Sequence, residues 1–297
     1  QIKKKNFHLV CSDEEGGQNR NSIKKFVVQR THNKTLRVTS AFFCWGKFDY
    51  KSFTQTYPNL KKKFYLTGSP RVDLWNNKTE KIINEQVLNL KKKFKRYVLI
   101  NCNFALSNSI LPKLDKLHLE GKNREFNKKE KIWLKNYYEE EEKILFKFID
   151  LTKFLSKNFK NLNFIIRPHP NENVNFYKKK IKEKNVFIQE EGNSIPWIKG
   201  SICMIHHGCT TGFEGVGLGK KVFSYEPFKT KYSDNLNSNF SSIRTFKKED
   251  FINKINNLEK IKFSKFKKNY FNHRYKMNKE LNSKKIMQIL ETLKQQK

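Results

Sequence analysis

Acid is what this sequence lacks most. Its 297 residues hold 28 Asp and Glu against 62 Lys and Arg, a formal charge of +34 at pH 7. Cysteine is sparse: Cys11, Cys44, Cys102, Cys203 and Cys209 are odd in number and never spaced as CxxC, which excludes a disulfide framework and a zinc ribbon and favours a reducing compartment. No run of about 18 apolar residues is present to span a bilayer, and the first residues show no signal-peptide pattern. Neither GxxxxGK[ST] nor a complete GxGxxG occurs, which sets aside the common glycine-rich phosphate loops. What is there is aromatic. The 26 Phe, 11 Tyr and 4 Trp are more ring surface than a solvated, disordered chain carries, and the length suits about two domains. Lysine falls in short runs along the whole chain, such as Lys3 to Lys5, Lys61 to Lys63, Lys91 to Lys93 and Lys178 to Lys180. That distribution reads as a solvated basic surface; an anionic membrane face and nucleic acid are the alternatives. The chain begins with Gln1 rather than Met, as expected of a fragment or a reading frame cut at its amino end.

Short apolar runs rich in Val, Ile and Phe predict buried strands at Phe7 to Cys11, Leu36 to Phe43, Lys63 to Thr67, Tyr97 to Cys102, Asn163 to Ile166, Asn185 to Ile188, Ile202 to Ile205 and Lys221 to Tyr225. Between them lie helix-length segments: Thr79 to Phe94, Lys128 to Asn158, Asn173 to Lys182, Thr211 to Leu218, Glu249 to Leu258 and Leu281 to Gln295. Strands alternating with helices predict open α/β sheets that take ligands at the carboxyl ends of their strands. The acidic run Glu139 to Glu142 reads as a charged helix face.

Strand ends are therefore where chemistry is sought. After the run at 202–205 comes His206-His207-Gly208-Cys209-Thr210-Thr211-Gly212-Phe213-Glu214. The Thr210 and Thr211 hydroxyls and the backbone N–H groups of the following helix suit a phosphate, and Glu214 suits a ribose; the plainer reading makes Thr210 an N-cap. After the run at 163–166 come Arg167-Pro168-His169-Pro170, where two prolines fix the backbone around an imidazole beside a guanidinium. Arg167 would neutralise charge on a leaving phosphate and His169 would donate to it. After the first run come Cys11-Ser12-Asp13-Glu14-Glu15-Gly16-Gly17, a carboxylate turn able to supply a general base or a nucleophile. Arg71 and Asp73, in Gly68-Ser69-Pro70-Arg71-Val72-Asp73, are close enough to pair across a turn, and Asn101 and Asn103 offer amides at a fourth strand end.

Taken together, Glu14-Glu15-Gly16, Trp45-Gly46 with Tyr57-Pro58, Thr67-Gly68-Ser69-Pro70-Arg71-Val72-Asp73, Leu99-Ile100-Asn101 with Asn103-Phe104, Arg167-Pro168-His169-Pro170 and His206 to Glu214 resemble bacterial surface-carbohydrate biosynthesis proteins. That family is similar to the GT-B glycosyltransferases that use CMP-activated acidic sugars, the sialyltransferases and β-Kdo transferases. It is more distantly like the CDP-glycerol glycerophosphotransferases, which share a GxPRxD stretch. The resemblance covers roughly Ser12 to Pro227. It implies an essential carboxylate at Glu14 or Glu15, with Glu15 favoured, and phosphate contact by His169. Its Ser-Ser/Thr motif corresponds loosely to Thr210 and Thr211, and His206 matches the histidine of the HxGCTTG segment.

These readings set the expectations. The fold is α/β, a GT-B-like pair of Rossmann-like domains. The amino-terminal one (1–90) is expected to be incomplete, because only about a dozen residues precede Glu14. A donor-binding domain follows (91–245), then carboxyl-terminal helices (246–297) packing back on the first. The expected function is a metal-independent glycosyltransferase of surface polysaccharide or lipopolysaccharide, moving an acidic sugar from a CMP donor to a glycan or lipid-linked acceptor. Glu14, Glu15 and His169 would be catalytic, and Arg167, His169, His206, Thr210, Thr211, Glu214 and Asn103 would hold the donor nucleotide, with Arg71 and Asp73 as secondary candidates. No cofactor or metal is expected, nor nucleic acid. The expected place is the cytoplasm, with peripheral contact at the inner membrane face. The alternatives are a UDP-sugar epimerase-like enzyme, a CDP-glycerol glycerophosphotransferase-like enzyme and, from another class, a basic nucleic-acid-binding protein.

Overall fold

The computed structural model describes residues 7–13, 16, 27–28, 31–111, 127–229, 237–263, 265–275 and 279–295. Two compact units divide the chain: Gln1–Lys81 with Phe263–Lys297, and Ile82–Lys262.

In the first unit, β1 (Val10–Ser12), β2 (Ala41–Cys44) and β3 (Phe64–Leu66) pair in parallel in that order. Side chains alternate across the sheet. Phe42, Cys44 and Phe64 pack with Leu36 and Phe53 on one face; Ala41 and Phe43 meet Leu293, Ile286, Ile289 and Leu290 on the other. Those four belong to the helix Asn282–Gln295, where three- and four-residue spacing gathers them into one stripe. Asp73 holds the start of that helix, its two carboxylate oxygens accepting the N–H groups of Asn282 (2.6 Å) and Ser283 (2.8 Å). Gly68 lies beside them at φ +83°, where a Cβ would also fall 2.5 Å from the Asn282 amide. The preceding helix, Lys265–Arg274, is anchored by rings: Trp75 meets Phe271 (5.9 Å) and Tyr275 (5.5 Å), and Trp45 meets Tyr275 edge-on (5.8 Å).

One expected strand of this unit is different. Leu36 to Phe43 is not continuous, because Asn33–Val38 is a helix and the strand begins at Ala41. The His32 ring caps the helix start by accepting the Lys34 N–H, and Thr39 closes its end, N–H and hydroxyl both donating to the Thr35 carbonyl (3.0 and 2.8 Å).

The second unit carries six parallel strands: β4 (Tyr97–Asn101), β5 (Asn163–Arg167), β6 (Val186–Ile188), β7 (Cys203–His206), β8 (Val222–Tyr225) and β9 (Ile243–Thr245), in the order β6-β5-β4-β7-β8-β9. Both faces are buried, which is why the strands read as unbroken apolar runs. Val98, Ile100, Phe164, Ile166 and Ile205 face the helix Lys128–Asn158 through Ile144, Leu145, Phe148 and Leu155. Tyr97, Leu99, Ile165 and Met204 face Phe94, Trp197 and Ile198. A capping box starts the long helix, with the Glu130 N–H on Asn127 Oδ1 and the Asn127 N–H on Glu130 Oε2, both at 3.0 Å. Phe251 and Ile255 of the helix Asp250–Asn256 lie in the first of these cores, and Leu90 packs against the second. The compact unit accordingly spans Ile82–Lys262. Among the described residues, no helix is long and apolar enough to cross a membrane.

The chain moves outward from β4 to β5 and β6, then returns to lay β7 against the other side of β4. Strand order reverses between β4 and β7, and in open α/β sheets the ligand crevice lies outside the carboxyl ends at such a point.

Candidate functional site

The register of the sheet places Asn101 opposite both Arg167 and His206. With strands about 4.8 Å apart, residues drawn from three separate sequence motifs end β4, β5 and β7 in one row. Just beyond the row stand Asn103, His169 and the stretch Gly208 to Thr211, of which Asn103, His169, Thr210 and Thr211 are partly exposed.

The end of β7 is built around a buried ring. His206 is fully enclosed, its Nε2 2.8 Å from Ser242 Oγ. Ser242 gives its own proton to the Ser238 carbonyl (2.7 Å), so His206 Nε2 must be the donor to Ser242. Burial and the neighbouring His207 push the His206 pKa down to about 3, leaving the ring neutral. It lies beneath the helix Thr211–Gly217, where a Cβ on Gly212 would come within 2.6 Å of the imidazole. Gly208 turns the chain out of β7 at φ +61° and gives its N–H to Asn239 Oδ1 (2.7 Å).

The hydroxylated segment is tied to β4. Asn101 Nδ2 donates to Thr211 Oγ1 (2.8 Å), which also lies 2.8 Å from Cys209 Sγ, a thiol that burial pushes up to about 11. Asn103 Nδ2 reaches the Gly208 carbonyl at 3.4 Å. Thr210 heads the helix in the right-handed helical region and its side chain makes no capping bond. Glu214 is buried and accepts from the Ser194 hydroxyl (2.7 Å).

At the end of β5, Arg167 is nearly buried. Its Nη1 and Nη2 donate to the carbonyls of Glu191 (2.7 Å) and Gly192 (2.8 Å), and its guanidinium lies 5.1 Å from the centre of the Trp197 ring. Burial lowers its pKa to about 10, which leaves it cationic at neutral pH. His169 sits between the two prolines with Nδ1 accepting the Asn171 N–H (3.2 Å). The proton of the neutral ring is therefore on Nε2.

In the first unit Glu14 and Glu15 lie outside the described residues. Gly16 is packed so tightly that a Cβ would fall 2.5 Å from the Trp45 ring and 2.8 Å from Asp49 Oδ2, and Trp45 Nε1 donates to the Asp13 carbonyl. Asp73 is engaged by the helix Asn282–Gln295, as described above; Arg71 is half-buried in the same turn.

Two acids that the sequence reading passed over are prominent in the second unit. Glu172 is buried and accepts the backbone N–H groups of His169 (2.9 Å) and Phe104 (3.0 Å) and the Tyr177 hydroxyl. Glu226, at the end of β8, accepts from Ser224 (2.8 Å) and from Arg244 Nε (2.9 Å). For Glu226 the available signal was an acid directly after a strand in a chain so short of acid. Among the described residues, no group of three or more His, Cys, Asp or Glu could hold a metal ion.

No protein-family model and no curated protein sequence matches the chain. Among solved structures it is similar to the wall teichoic acid polymerase TagF, at 12% identity and TM-score 0.58, over 89% of this chain and 61% of that one. It is also similar to the H548A variant of TagF (11%, TM-score 0.59, 89% and 60%) and to UDP-GlcNAc 2-epimerase from Methanocaldococcus jannaschii (14%, TM-score 0.52, 95% and 70%). The fold is GT-B-like. At these identities the likeness is one of fold, and the chain spans about three fifths of the TagF chains.

Proposed function

We propose that the chain is a transferase of surface-carbohydrate assembly that binds the phosphate of a nucleotide-linked donor outside the carboxyl ends of β4, β5 and β7. The observation that carries this reading is the reversal of strand order between β4 and β7, with Asn103, His169, Thr210 and Thr211 partly exposed beside it. His169 Nε2–H would donate to the leaving phosphate. The Thr210 hydroxyl and the Asn103 amide would add neutral donors, and Arg167 would supply positive potential from behind while holding the 191–192 turn. Such preorganised donors stabilise the charge that develops on a nucleotide leaving group without a metal. His206 and Glu214, both enclosed, would act by supporting the 208–214 segment. Glu14 or Glu15 would activate the acceptor hydroxyl or attack the donor, a role that rests on the family resemblance.

The donor we favour is a cytidine nucleotide, common to the CMP-sugar enzymes and to the CDP-glycerol glycerophosphotransferases that the sequence resembles. The acceptor would be a glycan or a lipid-linked precursor reached from an anionic membrane face by the lysine-rich surface. A UDP-sugar epimerase is the second reading, favoured by the fold shared with the archaeal enzyme. A thermal-shift panel of CMP, CDP, UDP and GDP tests both, since a ligand at one hundred times its dissociation constant stabilises by about 2.7 kcal/mol. Stabilisation by CMP or CDP supports the transferase reading, UDP alone supports the epimerase reading, and no response to any of the four removes both. His169→Ala should abolish the response while leaving the melting temperature without nucleotide nearly unchanged.

A further inference from the structure

Glu172 occupies an unusual position for an acid in a chain of charge +34. It is 2% exposed, and the donors around it are neutral: the N–H groups of Phe104 and His169, the Tyr177 hydroxyl and the Asn108 side chain. Burial pushes its pKa up, while each of these donors pulls it down. A carboxylate kept in a cage of neutral donors is a costly way to fill space, and an apolar side chain of similar size would pack there with less penalty. What the carboxylate does that an apolar side chain cannot is join two loops. A single oxygen, Oε1, takes the N–H of Phe104 in the loop after β4 and the N–H of His169 in the loop after β5. The same loops are stitched on either side by the Ile110 N–H on the Asn171 carbonyl (3.0 Å), the Asn173 N–H on the Asn108 carbonyl (2.8 Å) and an antiparallel bridge of Ser109 with Glu172. Tyr177, itself buried, pins the other carboxylate oxygen.

We propose that Glu172 is the positioning residue of the candidate site: it fixes the backbone of His169, and through the Asn171 N–H the ring tautomer, in register with Asn103 on the adjacent strand end. Asn103 precedes Phe104 directly, so one carboxylate sets the placement of two partly exposed residues beyond the strand ends. The role depends on reach, not on charge. Glutamine can keep Oε1 on both N–H groups and turn its amide toward the Tyr177 oxygen, whereas aspartate keeps the charge but is one methylene too short to hold both loops. This proposal rests on the reading of His169 as the phosphate donor.

The test uses the full chain with Glu172→Gln, Glu172→Asp and Glu172→Ala. Two quantities are read: the imidazole nitrogen shifts of His169 by NMR, assigned by their loss in His169→Gln, and the affinities for CDP and UDP by calorimetry. Wild type and Glu172→Gln should show the Nε2–H tautomer and bind nucleotide within about threefold of each other. Glu172→Asp should show averaged tautomers and bind about tenfold or more weakly, because the donors are no longer held in place. Glu172→Ala should match Glu172→Asp; if it does not fold, the Gln and Asp pair decides alone. Wild-type ring shifts and affinity in Glu172→Asp would overturn the proposal. If the wild-type chain binds neither nucleotide, the functional reading falls, and the ring shifts still decide whether Glu172 sets the tautomer.

Discussion

Asp73 offers a sharp test of whether a residue from a family-like motif serves a ligand or the fold. In the structure its two oxygens accept the N–H groups of Asn282 and Ser283, at 2.6 and 2.8 Å, across more than 200 residues of sequence. Asp73 and Asn282 are both buried. Asp73→Ala would leave two helix-terminal N–H groups without their acceptor. At roughly 1.5 kcal/mol for each charge-assisted bond, the low end of the usual range, the loss is about 3 kcal/mol. Asp73→Asn keeps one accepting oxygen and should lose about half of that, roughly 1.5 kcal/mol. Because Ile286, Ile289, Leu290 and Leu293 reach the β1–β3 sheet through this helix, the damage should be local before it is global. Urea melts give the two stabilities, and amide hydrogen exchange should show faster opening across 282–295 than across β2. An Asp73→Ala protein within about 0.5 kcal/mol of wild type, the scatter of surface changes, would refute the argument. So would one that keeps its stability but loses its response to nucleotide, since that would make Asp73 a ligand residue.

Other expectations follow from the same geometry. His206 is held neutral to about pH 3, while an unfolded histidine takes its proton near pH 6.5. Between those values the unfolded chain binds the extra proton, so its contribution is intact above about pH 6.5 and falls by up to about 1.4 kcal/mol per pH unit below it. His206→Asn should therefore flatten the decline of stability between pH 6 and pH 4 in urea melts, and an unchanged slope would contradict the enclosed neutral ring. If the basic surface holds the protein at an anionic membrane, sedimentation with phosphatidylserine vesicles should fall steeply between 50 and 300 mM salt, on the order of the change in screening length. Binding without salt dependence would count against that role.

The parts of the fold that were legible in the sequence are those where local signals agree. The long helix Lys128–Asn158 was expected with the same limits, and in the structure Asn127 and Glu130 form a capping box at its start. The strands from Tyr97 to Tyr225 were legible because burial on both faces leaves unbroken apolar runs. What stayed hidden was short, polar or nonlocal. Ile243–Thr245 is a three-residue edge strand, and Lys47–Thr56 buries only Asp49, Ser52 and Phe53. The break at Thr39 depends on a hydroxyl returning to a carbonyl four residues back, inside a stretch whose composition reads as strand. At the candidate site, strand-end position could be read from the apolar runs, which is why Asn101, Arg167 and His206 were found near one another. Their exposure could not be read. Nothing local says that His206 lies under Gly212 or that Glu214 turns toward Ser194, and Glu172 shows its significance only when the loops of two adjacent strands are seen to share its oxygen.

The proposed nucleotide site lies outside the carboxyl ends of β4, β5 and β7. Titration of the 15N-labelled chain with CDP, followed by amide shifts, tests it most directly. Saturable changes should concentrate at Asn103, His169 and Gly208 to Thr211. Changes confined to residues 7–81 and 265–295, or none at saturating CDP and UDP alike, would contradict it.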